Sequence, residues 1–167
     1  SDNTDEWYTD YKTVEEEVNH YIPQFNGKTV LCNCDDPYES AFAKYFIKHF
    51  NILKLKKLIC TSYKGSRLVE DVRMYDNNNV KLNNNSAYVM VVKKINSSVD
   101  EPLTDDEVLN YLKKKGNVKK LNGDGDFQSE ECINFLKESD IVVTNPPFSK
   151  FAILISLLEK YNKKYLL

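Results

Sequence analysis

Hydrophobic and polar residues follow one another along this chain in short blocks, and the spacing within each block predicts strands and helices in turn. Apolar, β-branched runs at 29–34, 57–61 and 140–144 are typical of strands buried on both faces. Between the first two runs, bulky side chains recur at helical spacing: Phe42, Tyr45, Phe46, His49 and Phe50. This order of strand, helix and strand predicts a right-handed unit with two parallel strands.

Four helix starts are predicted where a side chain can cap the N-terminus: Thr13, Thr104, Ser129 and Ser149. A glutamate three residues after each of the first two completes a capping box. The first helix is expected to follow a loose polar segment over 1–6 and to stop before Pro23, because proline cannot continue a helix. The last helix is expected to run to about residue 161.

Further strands are predicted at 88–95, 118–121 and 164–167. The section from about 71 to 116 departs from the regular order of strand and helix, and it contains an asparagine-rich stretch at 76–86 that predicts an exposed loop. We therefore interpret 71–116 as an insertion. Because the sequence ends on a predicted strand, we also expect the domain to be incomplete at its C-terminus.

Composition is that of one globular domain. The chain has 167 residues, of which 41% are hydrophobic and 29% charged, with a formal net charge of −2. Its apolar runs are too short to span a bilayer, and its polar start is unlike a signal peptide, so we expect a cytoplasmic protein with reduced cysteines. Contact with nucleic acid requires local basic patches, and the lysines at 113–115 and 160–164 are more simply explained as solvated helix ends.

Alternating strands and helices predict a doubly wound α/β sheet, which binds ligands at the carboxyl ends of its strands. The four residues Asn145, Pro146, Pro147 and Phe148 follow one such strand. Two consecutive prolines remove two N–H donors and leave carbonyl acceptors, the asparagine adds an amide oxygen, and the phenylalanine adds a ring on which a planar group can stack. This combination suits an aromatic amine such as that of adenine. The purely structural alternative is that these residues form a stiff turn between strand and helix.

The strand at 141–144 together with Asn145-Pro146-Pro147-Phe148 resembles the motif of DNA methyltransferases that act on amino groups. The strings at 31–40 and 122–132, in the expected order, resemble the EcoRI-type family of adenine-specific DNA methyltransferases. The resemblance extends from about Trp7 to Leu167, the amino-terminal part of that family's catalytic domain. It implies a three-layer, Rossmann-like, S-adenosylmethionine-dependent methyltransferase fold with a mostly parallel sheet, and a target-recognition region that lies outside this sequence.

The activity implied by this resemblance is transfer of a methyl group from S-adenosylmethionine to the N6 amine of an adenine flipped out of duplex DNA, in a restriction-modification context. An aromatic amine is a weak nucleophile until acceptors hold its hydrogens. In the family pattern, Asn145 and Pro146, which is followed by Pro147, are these acceptors. Phe148 stacks on the extruded base. The fragment alone is expected to be inactive.

The same resemblance implies which residues bind the cofactor. Residues at the end of the first strand are expected near its methionine and ribose parts: Asn33, Cys34, Asp35 and Asp36. Asp126 is expected to accept a hydrogen bond from the cofactor's adenine, with Phe127 packed nearby, and Tyr8 and Thr9 belong to a motif that covers the methionine end. The equal alternative for this last motif is an aromatic staple ahead of the first helix.

The sequence departs from the family pattern at two places, and three alternative functions stay open. A Cys-Asp-Asp-Pro turn replaces the usual glycine-rich turn after the first strand, and Thr61-Ser62-Tyr63 replaces the acidic residue that usually binds the ribose. The alternatives are methylation of RNA, methylation of protein, and a non-catalytic nucleotide-binding module on the same scaffold.

No metal site is expected. Cys32, Cys34 and Cys60 lack the paired spacing and fourth ligand of a zinc site, and the acidic turn at 122–127 lacks the glycine and glutamate of a calcium loop. His20 and His49 are predicted to be ordinary surface or interface residues.

Overall fold

A computed structural model describes residues 3–33, 40–62, 87–114, 118–146 and 148–166, with residues 3–10 described by their backbone alone. These residues form one six-stranded sheet. Its strands are β1 (Thr29–Cys32), β2 (Lys57–Ser62), β3 (Tyr88–Val92), β4 (Val118–Lys120), β5 (Ile141–Val143) and β6 (Lys164–Leu166). The described α-helices are α1 (Asn3–Asn19), α2 (Ala41–Lys48), α3 (Asp105–Leu112), α4 (Glu130–Glu138) and α5 (Phe151–Lys160), and short 3₁₀ helices occupy Ile22–Phe25 and Phe148–Lys150.

The strands lie in the order β4, β3, β2, β1, β5 and β6. β1 is parallel to both of its neighbours, β2 and β5, and β6 is parallel to β5. β3 is antiparallel to β2 and to β4. The carboxyl ends of the other five strands therefore meet at one edge of the sheet, which we call the carboxyl edge. The predicted α/β class is confirmed, and the strand within the predicted insertion proves to be paired on both sides.

Helices cover both faces of this sheet. Alternate residues along β1 belong to different cores: Cys32 packs with α1, α2 and α3, whereas Leu31 packs with α4 and α5. In β2, likewise, Cys60 belongs to the first of these cores and Ile59 to the second. Strands buried on both faces explain why their sequences are continuously apolar. Three layers result, with the sheet in the middle.

Several local predictions are confirmed. Thr104 and Glu107 form both hydrogen bonds of a capping box at the start of α3, and Ser129 caps α4 through the amide of Cys132. Cys32, Cys60 and Cys132 are buried and reduced. Lys163 donates to the carbonyl oxygens of Lys137 and Ser139, so part of the C-terminal lysine run does stabilise a helix end. The asparagine-rich stretch at 76–86 lies outside the described residues.

The predicted start of the first helix is wrong. α1 begins at Asn3, so residues 3–6 are not loose, and Thr13 lies in the middle of the helix rather than at its cap. Buried Tyr11, Val14 and Val18 recur at helical spacing and anchor α1 on the core. This apolar stripe extends one continuous helix across a local capping signal, and Tyr8 and Thr9 are part of that helix rather than ahead of it.

The predicted cap of the last helix is also wrong. Phe148–Lys150 is a 3₁₀ helix, and Lys150 occupies the N-cap position of α5 without a side-chain capping bond. Ser149 lies inside the tighter turn. The residues after the two prolines therefore form a compact turn before the α-helix begins.

His49, which the sequence predicts to be a surface or interface residue, is 7% exposed and contacts α1. Its ring stacks on Tyr45 at 4.2 Å, and its Nδ1 lies 3.0 Å from the Tyr45 carbonyl oxygen. Its Nε2 lies 3.6 Å from a carboxylate oxygen of Glu15 on α1. Burial lowers the pKa of His49 below its ordinary value of 6.5, against the opposing effects of the Tyr45 carbonyl and Glu15, and Lys48 lowers it further.

The contribution of His49 to the free energy of unfolding is expected to decrease as the pH falls from 7.5 to 5.5. The unfolded chain takes up a proton at His49 near pH 6.5, whereas the folded chain takes it up only at lower pH, so acidification favours unfolding. Urea denaturation of wild type and His49→Gln at both pH values measures this contribution, which the variant should lack. His20→Gln, at an exposed position, should keep it. An undiminished decline in His49→Gln would contradict the assignment.

Candidate functional site

The ends of β1 and β5 are joined at the carboxyl edge. The hydroxyl of Thr144 donates a hydrogen bond to the carbonyl oxygen of Asn33, and both residues are buried. The amide of Thr144 also donates to the Leu166 carbonyl oxygen at 3.1 Å. The segment that begins at Asn145 therefore leaves the sheet directly beside the residue that follows β1.

Residues 145–148 present polar and aromatic groups at the surface, and we call them the target-base loop after the role that the family resemblance implies. Asn145 is exposed and Pro146 is half-buried, while Pro147 lies outside the described residues. Phe148 is 100% exposed, which is unusual for a large aromatic side chain. The loop thus combines an accessible amide with an uncovered ring.

The acidic turn over residues 122–127 is held in shape by its own carboxylates and by α4. Glu131 accepts hydrogen bonds from the amides of Asn122 at 2.9 Å and Gly123 at 2.8 Å. Asp124 accepts from the amide of Asp126 at 3.0 Å, and Asp126 accepts from the amide of Gln128 at 2.8 Å. Carboxylates that accept from backbone amides satisfy donors that the loop would otherwise leave unpaired.

This turn crosses the carboxyl edge of the sheet from β4 toward β5. Leu121, directly after β4, donates its amide to Ala87 beside β3. Gly125 then lies against the end of β2, where a Cβ would stand 2.2 Å from the carbonyl oxygen of Ser62. Only a residue without a side chain fits this approach, and the positive φ of 82° also favours glycine.

The turn finally contacts Lys150, which lies two residues after the target-base loop. The Lys150 amine lies 3.3 Å from Oδ2 of Asp126 and 5.6 Å from the centre of the Phe127 ring. Phe127 is 2% exposed and packs in the core beneath α4 and α5. Its side chain is thus part of the core, while its neighbour Asp126 remains partly accessible.

Three buried polar atoms at this edge have no hydrogen-bond partner within the described part of the chain. They are Oδ1 of Asn33 after β1 and the hydroxyl oxygens of Thr61 and Ser62 at the end of β2. Each residue is no more than 3% exposed. An unpaired buried polar group destabilises a fold by about 1–3 kcal/mol, so the three atoms mark a place where a ligand with complementary groups gains binding energy.

The sequence-predicted residues divide into three groups. Asn33, Asp126, Phe127, Asn145, Pro146 and Phe148 all lie at or beneath the carboxyl edge. Cys34, Asp35, Asp36 and Pro147 lie outside the described residues. Tyr8 and Thr9 lie on α1, where only the backbone is described.

Sequence reasoning missed two features of the site. The hydroxyls of Thr61 and Ser62 stand out in the sequence only as a departure from an acidic pattern, although polar residues that end a buried strand are themselves a signal. Lys150 gives no signal, because its ion pair depends on two loops that are far apart in sequence.

Among the described residues, no group of three or more histidine, cysteine or acidic side chains could hold a metal ion. Cys32 and Cys60 are paired across β1 and β2, and both are fully buried in the apolar core. Nor does any described helix have the length and apolar character that crossing a bilayer demands.

Parallel strands that end together in polar turns are typical of α/β enzymes that bind a nucleotide-like ligand. Comparison with known families shows the class of protein. The sequence model of the family described as adenine-specific methyltransferase EcoRI matches residues 1–167, so the chain belongs to the EcoRI-type methyltransferase family. The resemblance stated from the motifs is thereby confirmed.

The chain is 40% identical over 164 residues to the type II methyltransferase M.EcoRI of Escherichia coli. The aligned region covers 98% of this chain and 44% of that protein. It is 37% identical to M.MgeORF184P of Mycoplasma genitalium and 34% identical to M.MpnI of Mycoplasma pneumoniae, each over 96% of this chain and 39% of the relative. The chain thus spans less than half the length of these relatives. No solved structure matches it.

Proposed function

We propose that this chain is the cofactor-binding and catalytic part of an adenine-specific DNA methyltransferase that uses S-adenosylmethionine. One observation carries the proposal: the bond from Thr144 to the Asn33 carbonyl puts the start of the target-base loop beside the end of β1. A methyl transfer needs its acceptor amine next to its donor. Family membership supports the same activity.

The target-base loop activates the amine by accepting its hydrogens. The lone pair of an aromatic amine is delocalised into the ring, and acceptors at both hydrogens favour the pyramidal nitrogen that attacks. The side-chain oxygen of Asn145 and the backbone carbonyl of Pro146 are the proposed acceptors, with Pro147 stiffening the loop. The exposed ring of Phe148 is available to stack on the flipped adenine and offsets part of the few kcal/mol that unstacking costs.

S-adenosylmethionine fits the polar groups at the carboxyl edge. Its hydroxyl, ammonium and amine groups are complementary to the unpaired Oδ1 of Asn33 and to the hydroxyls of Thr61 and Ser62, which take the place of the usual acidic residue. Asp126 offers its carboxylate to the cofactor's adenine. Cys34, Asp35 and Asp36, and Tyr8 and Thr9 on α1, are the further proposed contacts. When bound, the cofactor supplies a methyl group already activated on a sulfonium.

Several finer features belong to the same proposal. The sheet and the helices on its two faces form a partial, Rossmann-like core of the domain, and 71–116 is an insertion in it. Selection of a DNA site is the task of regions outside residues 1–167. A restriction-modification role and a cytoplasmic site of action are part of the proposal. Duplex DNA with a flipped adenine is the proposed substrate.

Asp126→Ala is expected to weaken binding of S-adenosylhomocysteine by about tenfold or more, the usual effect of removing a charged acceptor. The measurement is isothermal titration calorimetry on the protein as its gene encodes it. Asp100→Ala, in an exposed segment, is the matched control and should bind within about twofold of wild type. Equal affinities of Asp126→Ala and wild type would remove Asp126 from the site.

Methyl transfer from labelled S-adenosylmethionine tests the substrate. Adenine-containing duplex DNA should be labelled, and digestion to nucleosides should yield N6-methyladenine. Labelling of RNA or protein instead of DNA would replace the proposed substrate, while binding without transfer to any of them would favour a non-catalytic module.

A further inference from the structure

We propose that Lys150 is a positioning residue for methyl transfer, because it fixes the acidic turn at 122–127 to the target-base loop. This inference rests on the proposed function. Lys150 lies two residues after Phe148, at the N-cap of α5, and it makes an ion pair with the residue proposed to bind the cofactor's adenine. A single side chain thus joins the part of the site that holds the donor to the part that holds the acceptor.

The sheet itself does not connect these two segments. The acidic turn follows β4 and the target-base loop follows β5, and three strands lie between β4 and β5 in the sheet. At the usual strand spacing the two strands are about 19 Å apart. The turn crosses the end of β2 at Gly125, and its far end is held to the segment that follows β5 by the contact between Lys150 and Asp126.

The contact also orients the Asp126 carboxylate. Oδ1 accepts the amide of Gln128 at 2.8 Å, and Oδ2 faces the Lys150 amine at 3.3 Å. Both oxygens are therefore fixed, and a carboxylate with about four acceptor sites still has capacity for a purine amine. The amine of Lys150 adds a cation–aromatic contact with the buried ring of Phe127 at 5.6 Å.

A contact of this kind matters more for catalysis than for folding. The side chains of Lys150 and Asp126 are 34% and 31% exposed, and a partly exposed ion pair contributes little to stability. Positioning is different, because a displacement of about 1 Å between reacting groups can lower a rate by about a hundredfold. We therefore expect loss of Lys150 to affect turnover and cofactor affinity rather than the melting temperature.

The test compares Lys150→Met with Lys150→Arg in the protein as its gene encodes it. Lys150→Met should lower kcat about tenfold and weaken S-adenosylhomocysteine binding about threefold, with an unchanged melting temperature and DNA KM. Lys150→Arg keeps the charge and should keep kcat within about threefold of wild type, with an unchanged affinity for S-adenosylhomocysteine. Lys160→Met, at the exposed end of α5, is the control for loss of a lysine. Wild-type behaviour of Lys150→Met in an active protein would overturn this inference alone.

A double-mutant cycle decides whether Lys150 acts through Asp126. In an Asp126→Ala background, Lys150→Met should have no further effect on cofactor affinity, because the partner is already absent. An equal effect in both backgrounds would overturn the inference. So would a Lys150→Met protein whose affinity for duplex DNA depends less on salt, by about one unit of log–log slope, since that indicates a phosphate contact. A wild type that binds no cofactor would overturn both proposals.

Discussion

Asn145→Ala is expected to lower the turnover number for DNA methylation by about 10²–10³, the usual effect of removing one pre-positioned group that stabilises a transition state. The side-chain amide oxygen is the acceptor proposed for one hydrogen of the adenine amine. Asn145 is exposed and follows the end of β5 closely, so the substitution removes no core contact. Binding of S-adenosylhomocysteine should stay within about twofold of wild type, which separates a defect in chemistry from a defect in cofactor binding.

Two variants sharpen this experiment. Asn134→Ala removes an exposed amide from α4 and should leave both turnover and binding unchanged. Asn145→Asp keeps an acceptor oxygen at nearly the same place and should retain more activity than the alanine variant. Full turnover by Asn145→Ala would exclude the amide from the reaction, whatever the family resemblance implies.

Gly125→Ala is expected to reduce the free energy of unfolding by about 2–4 kcal/mol and to weaken cofactor binding with it. A Cβ at this position would lie 2.2 Å from the Ser62 carbonyl oxygen and 2.9 Å from Cβ of Ala87, and neither of those atoms belongs to the flexible end of a long side chain. The positive φ adds a second penalty. Either the turn or the end of β2 must move, and both belong to the proposed cofactor site.

Two other glycines separate these penalties. Gly27 has a φ of 72°, and no atom of the described residues lies within 4 Å of the place that an alanine Cβ would take, so Gly27→Ala should show the backbone penalty alone, about 1 kcal/mol. Within the described part of the chain, a Cβ on Gly123 would meet only an oxygen of Glu131, at 3.4 Å, so Gly123→Ala should be nearly neutral. Urea denaturation of the three variants gives the ranking, and a Gly125→Ala protein no less stable than Gly27→Ala would disprove the close approach.

The strands that the sequence predicted best are those whose signal is local and redundant. β1 and β2 are short apolar runs with polar residues on either side in the sequence, and their burial on both faces of the sheet agrees with that pattern. The start of α3 was predicted for a similar reason, since Thr104 and Glu107 satisfy each other's backbone groups wherever the helix packs. In the site, the place of Asn145 and Phe148 after the end of β5 could be predicted from the motif, while their roles at that strand end stay predictions.

Features that depend on distant partners could not be predicted in this way. An apolar run such as β3 specifies burial but not the direction of its neighbours, so its antiparallel place between β2 and β4 had no local signal. The early start of α1 depends on what Tyr11, Val14 and Val18 pack against, which outweighed the Thr13 capping signal. The ion pair of Lys150 spans 24 residues and two loops, and no short pattern encodes it.

The pairing of β1 with β5 has a consequence for how the chain acquires its shape. The bond between Thr144 and Asn33 joins residues 111 positions apart, whereas β2, β3 and β4 follow one another along the chain. Closing so long a loop has a larger entropic cost and slows folding, so the distant pair is expected to form late. During synthesis on the ribosome, residues up to 120 can emerge before β5 has been made. The edge of β1 that pairs with β5 stays unpaired until then. The corner proposed to do the chemistry therefore assembles only after β1 to β4 are in place, and it is lost if synthesis stops before β5.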